Sequence, residues 1–94
     1  MALLSAFTKQ PREILDFDID YTTVLAGRSD TISSKVVEVD PIGLTIVSST
    51  LNSNKVKVIV SLGITGSVYK VTVLATTTAG LVYEDEVNVL VEEV

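Results

Sequence analysis

A chain of 94 residues with no cysteine, no histidine and no tryptophan can form one small domain, but not a disulfide framework or a thiolate zinc site. Its formal charge of −5 and pI near 4.4 argue against nucleic acid or an anionic membrane surface as the main partner. So short a chain buries only roughly 60–65% of the surface that its unfolded form exposes, yet 47% of this one is hydrophobic, so some of that surplus should show outside the core. Val, Thr and Ile supply 34 of the 94 residues, a β-branched excess that suits pleated sheets and not helices. No apolar run approaches the ~20 residues of a membrane span.

Met1 to Arg12 shows no period and reads as an N-terminal arm ahead of a domain over residues 13–94. Its start lacks the basic region and the length of a signal peptide, so export by that route is not implied. The arm is either a frayed terminus or a docking segment carrying Leu3, Leu4 and Phe7, which are many apolar residues for a purely solvating tail.

Glu13 to Tyr21 alternates, with Leu15, Phe17, Ile19 and Tyr21 on one face and Asp16, Asp18 and Asp20 on the other. The pattern breaks over Thr22–Asp30, where Val24 and Leu25 are expected to plug the open end of the core. Thr31–Asp40 reads as a second strand with a phase fault. Ile32 and Val36 fit one face and Val37 and Val39 the other, which predicts a bulge near Lys35–Val37. After the turn Asp40-Pro41-Ile42-Gly43, Leu44, Ile46 and Ser48 form a third strand, closed by the polar run Ser48–Asn54.

Lys55 to Val91 holds the strongest pattern. Val56, Val58, Val60 and Leu62 share one phase; Tyr69, Val71, Val73 and Ala75 resume it after Gly63-Ile64-Thr65-Gly66; Val87, Val89 and Val91 repeat it beyond Thr78-Ala79-Gly80. Placing Thr77 opposite Leu81 registers the last hairpin. Val71 then meets Val87 and Tyr69 meets Val89 inside, while Thr72 meets Glu86, Leu74 meets Glu84 and Val68 meets Leu90 outside. Asp85 falls opposite Val73 on the inner side, a position that calls for a bulge or the sandwich rim. Short strands with turns at roughly 8–12-residue spacing make the class all-β, a two-sheet antiparallel sandwich of six to seven strands. Leu15, Phe17, Ile19, Val58, Tyr69, Val71, Val87 and Val89 are the expected core.

The chemistry on offer is sparse. Neither the commonest general base nor the thiol nucleophile is present, and no glycine loop precedes a helix to cradle phosphate, so no catalytic residue and no cofactor are expected. Asp16, Asp18 and Asp20, with Asp30 or Asp40, are the best candidates for calcium. Alternate strand positions lie ~7 Å apart, however, and cannot enclose one ion alone. A solvated face, or one paired with basic residues of a partner, are the other readings. Tyr69, near the start of the penultimate strand, is placed either as an ordinary core aromatic or as the tyrosine corner of an immunoglobulin-like sandwich. Ile59, Val68, Leu74, Val82 and Leu90 fall in the outward phase of the last three strands. They are expected to merge into a contact patch for another subunit, unless a loop or the arm of the same chain covers them.

Lys9, Pro11, Glu13, Leu15-Asp16-Phe17, Asp20-Tyr21, Asp30-Thr31-Ile32, Gly43-Leu44-Thr45, Tyr69-Lys70-Val71-Thr72, Gly80 and Glu84-Asp85-Glu86 form a pattern over roughly residues 9–93. In it the chain resembles a family of short virion proteins of tailed phages and prophages, the fibre–tail adaptor proteins. It departs from them in carrying Tyr21 and Val36 where tryptophan is common. The resemblance implies an immunoglobulin-like or fibronectin-III-like sandwich, present in multiple copies in the virion after synthesis in the host cytoplasm. Its partners would be other virion proteins (adaptor, tail, fibre or capsid subunits), with no nucleic acid and no membrane. The adaptor role in the tail, fibre or head–tail region leads. A capsid decoration protein that stabilises the shell, and an immunoglobulin-like module for carbohydrate or calcium-dependent recognition, are the alternatives.

Overall fold

The β-branched alternation produces strands and almost nothing else. The computed structural model describes residues 2–93, with side chains from Ala6 onward, and holds seven strands: β1 (Ala2–Lys9), β2 (Leu15–Asp20), β3 (Ile32–Asp40), β4 (Leu44–Asn52), β5 (Lys55–Leu62), β6 (Val68–Thr77) and β7 (Val82–Val91). A single helical turn, α1 (Thr22–Leu25), follows β2. The strands form two sheets, ordered β1-β7-β6-β3 and β2-β5-β4. Their inner faces share one core, in which Val56, Val58 and Val60 of the smaller sheet and Val71, Val73, Val89 and Val91 of the larger are wholly buried. Each such side chain contributes about 1.5–3 kcal/mol relative to exposure.

The last hairpin has the register drawn from its sequence: Val71 opposite Val87, Tyr69 opposite Val89, Thr72 opposite Glu86, Leu74 opposite Glu84 and Val68 opposite Leu90. The Thr77 amide donates to the Leu81 carbonyl (2.8 Å) across a loop whose Gly80 takes φ +93°, as a three-residue hairpin loop requires. Of the expected core, Ile19, Val58, Tyr69, Val71, Val87 and Val89 are buried, while Leu15 and Phe17 are half-buried because β2 is an edge strand.

Five expectations change. Residues 2–9, set apart as an arm, form a sheet edge that runs parallel to β7, so the larger sheet is not purely antiparallel. The bulge of β3 lies between Ile32 and Ser34, ahead of the Lys35–Val37 step. The strand switches phase there, so that Val37 and Val39 point inward and Val36 outward. The polar run after Ser48 does not close the third strand. β4 continues to Asn52 through a second register shift between Ile46 and Ser48, because pairing with β5 satisfies its backbone whatever its side chains. Leu25 plugs the core end but Val24 is 49% exposed. Leu62 leaves the inward phase of β5, at φ +62° and 60% exposed.

Aromatic and polar contacts close the two open sides between the sheets. On one side, Phe7 of β1 meets Phe17 of β2 with ring centroids 6.1 Å apart and tilted by 56°. On the other, the Lys35 ammonium of β3 donates to the Ser49 carbonyl (2.9 Å) and hydroxyl (2.6 Å) of β4. Phe7, placed above in a docking segment, is thus half-buried within its own chain. Phe7→Ala is expected to lower the free energy of unfolding by about 2 kcal/mol in urea denaturation, as loss of a half-buried aromatic does. A change near zero would restore the reading of residues 1–12 as an arm.

Candidate functional site

The acidic face comes first, since it carried the calcium reading. The register puts Asp18 opposite Lys57 and Asp20 opposite Lys55 on β5, and Lys57 Nζ lies 3.4 Å from Asp16 Oδ2. The expected basic neighbours are therefore this chain's own lysines. Such exposed pairs are worth about 0–1 kcal/mol each, so they balance charge more than they stabilise. Asp20 is held below the usual carboxylate range by the Thr22 hydroxyl first, then by the Thr22 amide, which donates to Oδ1 at 2.9 Å. Among the described residues no three His, Cys, Asp or Glu side chains gather in a metal-ligating group, and no helix is long and apolar enough to cross a membrane.

The outward aliphatics do not merge. Ile59 lies on the outer face of the smaller sheet, between Asp16 and Ser48. Val68, Leu74, Val82 and Leu90 lie on the larger sheet but in two separate groups. Val68 pairs with Leu90 near one end, while Leu74 pairs with Glu84 and Val82 with Thr76 towards the other. Between them run Lys70, Asn88, Thr72 and Glu86, and Lys70 Nζ bonds Glu86 Oε2 at 3.3 Å. A polar belt thus divides the face that was expected to be one apolar patch. Leu3 and Leu4, the other two contact candidates, have side chains outside the described residues.

The largest gathering of exposed aliphatics lies instead at one end of the molecule, which measures 45 × 21 × 19 Å. There β1, β3, β5 and β7 end and β2, β4 and β6 begin. Ile14 (65% exposed), Ile42 (90%), Leu62 (60%), Ile64 (63%) and Val68 (53%) all stand on or beside the loops of this end. The signal was present in the turns Pro41-Ile42-Gly43 and Gly63-Ile64-Thr65-Gly66. An isoleucine between turn residues has no strand neighbour to cover it.

Two buried polar groups fix these loops. Lys9 has no exposed surface, and its ammonium donates to the carbonyls of Gln10 (2.8 Å), Pro11 (3.1 Å) and Leu62 (2.5 Å). Three N–H groups meet three acceptors, so the charge is fully solvated by backbone. Burial pushes its pKa down from 10.5, with the Glu13 carboxylate opposing. The Tyr69 hydroxyl accepts the Ile64 amide at 2.9 Å. Gly43 and Gly63 let these loops approach, since a Cβ on either would fall 2.6 Å from Tyr69 Oη or Val91 Cγ2.

The opposite end is differently built, with Val24, Leu81 and Val82 exposed among Thr, Asp, Asn and Ser. Asp30 Oδ1 accepts the amides of Thr31 (2.9 Å) and Ala79 (3.2 Å), tying the start of β3 to the last hairpin loop, and Asn54 Oδ1 accepts the Ile32 amide at 3.0 Å. The Thr77 hydroxyl first, against partial desolvation, and then these amides hold Asp30 below the usual carboxylate range. Tyr21 Oη is buried here without a hydrogen-bond partner, its ring 6.0 Å from that of Tyr83. Desolvation, then the Asp85 carboxylate, pushes this phenol's pKa up.

Comparison with known proteins adds one finding. The family model for the podophage GP4 fiber-tail adaptor protein gp77 matches residues 9–90. No curated protein matches the chain.

The two ends respond differently to perturbation. Lys9→Met is expected to cost about 2 kcal/mol, because it leaves three loop carbonyls without their charged donor, and urea unfolding measures it. A variant as stable as the parent would mean that water replaces the ammonium at no cost. Asp30 titrates below its unfolded value of 3.8, so its contribution is present above that pH and is lost as pH falls through the lower folded value. Thermal melts from pH 6 down to about pH 2 are expected to show a shallower acid loss in Asp30→Asn than in the parent. Parallel curves would refute the assignment.

Proposed function

The chain belongs to the podophage GP4 fibre–tail adaptor family, and from that membership we propose that it is a non-enzymatic structural protein of a tailed-phage particle, bridging two other virion proteins. The observation that carries this reading is the extent of the match, which runs from the end of β1 almost to the end of β7. It therefore takes in both sheets and not a local motif.

The geometry supports a bridge in a second way. An adaptor needs two unlike contact surfaces, and the long axis of 45 Å separates an end with five exposed aliphatics from one where Val24, Leu81 and Val82 stand exposed among Thr, Asp, Asn and Ser. The polar belt across the larger sheet and the Asp–Lys rows on the smaller one favour contact through the ends over contact through the faces.

Two features support an immunoglobulin-like assignment of the sandwich. The second, fifth and fourth strands form one sheet, while the third, sixth and seventh lie in the other with the first strand added beside the seventh. Tyr69, near the start of the sixth strand, binds the backbone five residues upstream, as a tyrosine corner does. The protein would occupy several copies per particle, set by the symmetry of the tail.

Mass spectrometry of purified particles is expected to find the chain in stoichiometric amount, and particles assembled without it are expected to keep tails but lack fibres. Its absence from particles, or a full fibre complement without it, would overturn the adaptor reading. Fragile shells with fibres still attached would indicate capsid decoration instead.

A further inference from the structure

We infer that the aliphatic end is a plug for a recessed apolar socket on a different virion protein, and that the lip of this socket is lined with Lys and Arg. The inference rests on the adaptor reading and adds the shape and chemistry of one partner. Ile14, Ile42, Leu62, Ile64 and Val68 supply the apolar tip. Ile14, Leu62 and Ile64 stand beside backbone held by the Lys9 and Tyr69 hydrogen bonds, Val68 is in β6 and Ile42 adjoins Gly43, which packs on Tyr69, so the tip is presented already formed and loses little freedom on docking.

Charge chooses among occupants. Glu13, Asp40, Glu92 and Glu93 are exposed around this end; the exposed cations beside them are Arg12 and Lys70, and Lys70, opposite Asp40, is already paired with Glu86. The Lys9 ammonium is buried and committed to carbonyls. Two copies meeting tip to tip would press like-charged rims together, which disfavours a second copy of this chain. Nucleic acid and anionic lipid are repelled for the same reason. A basic lip on a non-identical protein is the complement that remains.

Size indicates a socket and not a flat contact. The molecule is 21 × 19 Å across its long axis, while a stable interface removes ~800 Å² from each partner. A flat contact on this end falls short, whereas a recess that encloses the tip and its acidic rim reaches that area.

The test introduces a photo-crosslinking amino acid at Thr65, exposed on the β5–β6 loop, and follows incorporation of variants into particles. Crosslinks are expected to a different virion protein, on a segment rich in Lys or Arg. Ile42→Ser with Ile64→Ser is expected to reduce incorporation at least tenfold, and Glu92→Lys with Glu93→Lys severalfold. Melting temperatures should be unchanged, because these side chains are exposed, and Val36→Ser, midway along β3 on the outer face of the larger sheet, should incorporate normally. Normal incorporation of the isoleucine double variant overturns the docking end and leaves the adaptor reading standing. Crosslinks to another copy of this chain, or to an acidic segment, overturn the partner's chemistry. Absence of the parent chain from particles removes the adaptor reading and this inference together.

Discussion

Inside the molecule, where β1 ends, a lysine ammonium is enclosed by three backbone carbonyls. A buried cation is costly unless every proton finds an acceptor, and the carbonyls of Gln10, Pro11 and Leu62 provide three. These acceptors come from the turn after β1 and from the end of β5, so a single charged group joins the first strand to a loop more than fifty residues away. Leu62, whose carbonyl takes part, stands at φ +62°, a conformation that a leucine adopts only when its surroundings impose it. The left-handed backbone directs its side chain out of the strand's inward phase and into solvent. One hydrogen-bonded cluster therefore both closes the core and exposes part of the tip.

Tyr69 does similar work from the β6 side. Its ring fills the core next to Gly43 and Gly63, and its hydroxyl holds the Ile64 amide. Between them the lysine and the tyrosine secure two of the connections at this end, β1–β2 and β5–β6, by side-chain bonds to backbone, which leaves the aliphatic side chains of those loops free of internal tasks. At the far end Asp30 and Asn54 secure the loops instead, through amide donors, and the side chains left over are mixed, with Val24, Leu81 and Val82 among polar residues. The two ends thus share a method of construction and differ in what they display.

On the faces between them part of the charge is paired. Asp–Lys pairing on the smaller sheet and the Lys70–Glu86 pair on the larger neutralise charges that would otherwise attract ions or partners. That leaves the net charge of −5 expressed largely at exposed carboxylates on loops, ends and one sheet face. On the reading proposed above, contact is made through the ends of a body that is about twice as long as it is wide.

Period-two alternation in the sequence determined the strand content, the core of β5, β6 and β7 and the full register of the last hairpin, because these depend on neighbours close along the chain. The same pattern placed Tyr69 in the core, and a hydroxyl bonded to backbone was one of the two readings its position allowed. It could not determine that residues 2–9 join β7, because pairing between strands some eighty residues apart leaves no local periodicity in a short segment with one clear inward aromatic. It misplaced the bulge of β3, since an added residue shifts the phase of everything after it and only the partner strand shows where. The expected apolar patch failed for a related reason: outwardness is written in the sequence, but adjacency across strands is set by register and by which sheet a strand joins. Only the tertiary structure brought Ile14, Ile42, Leu62 and Ile64 to one end, because loops distant in sequence meet there solely through the closing of the two sheets.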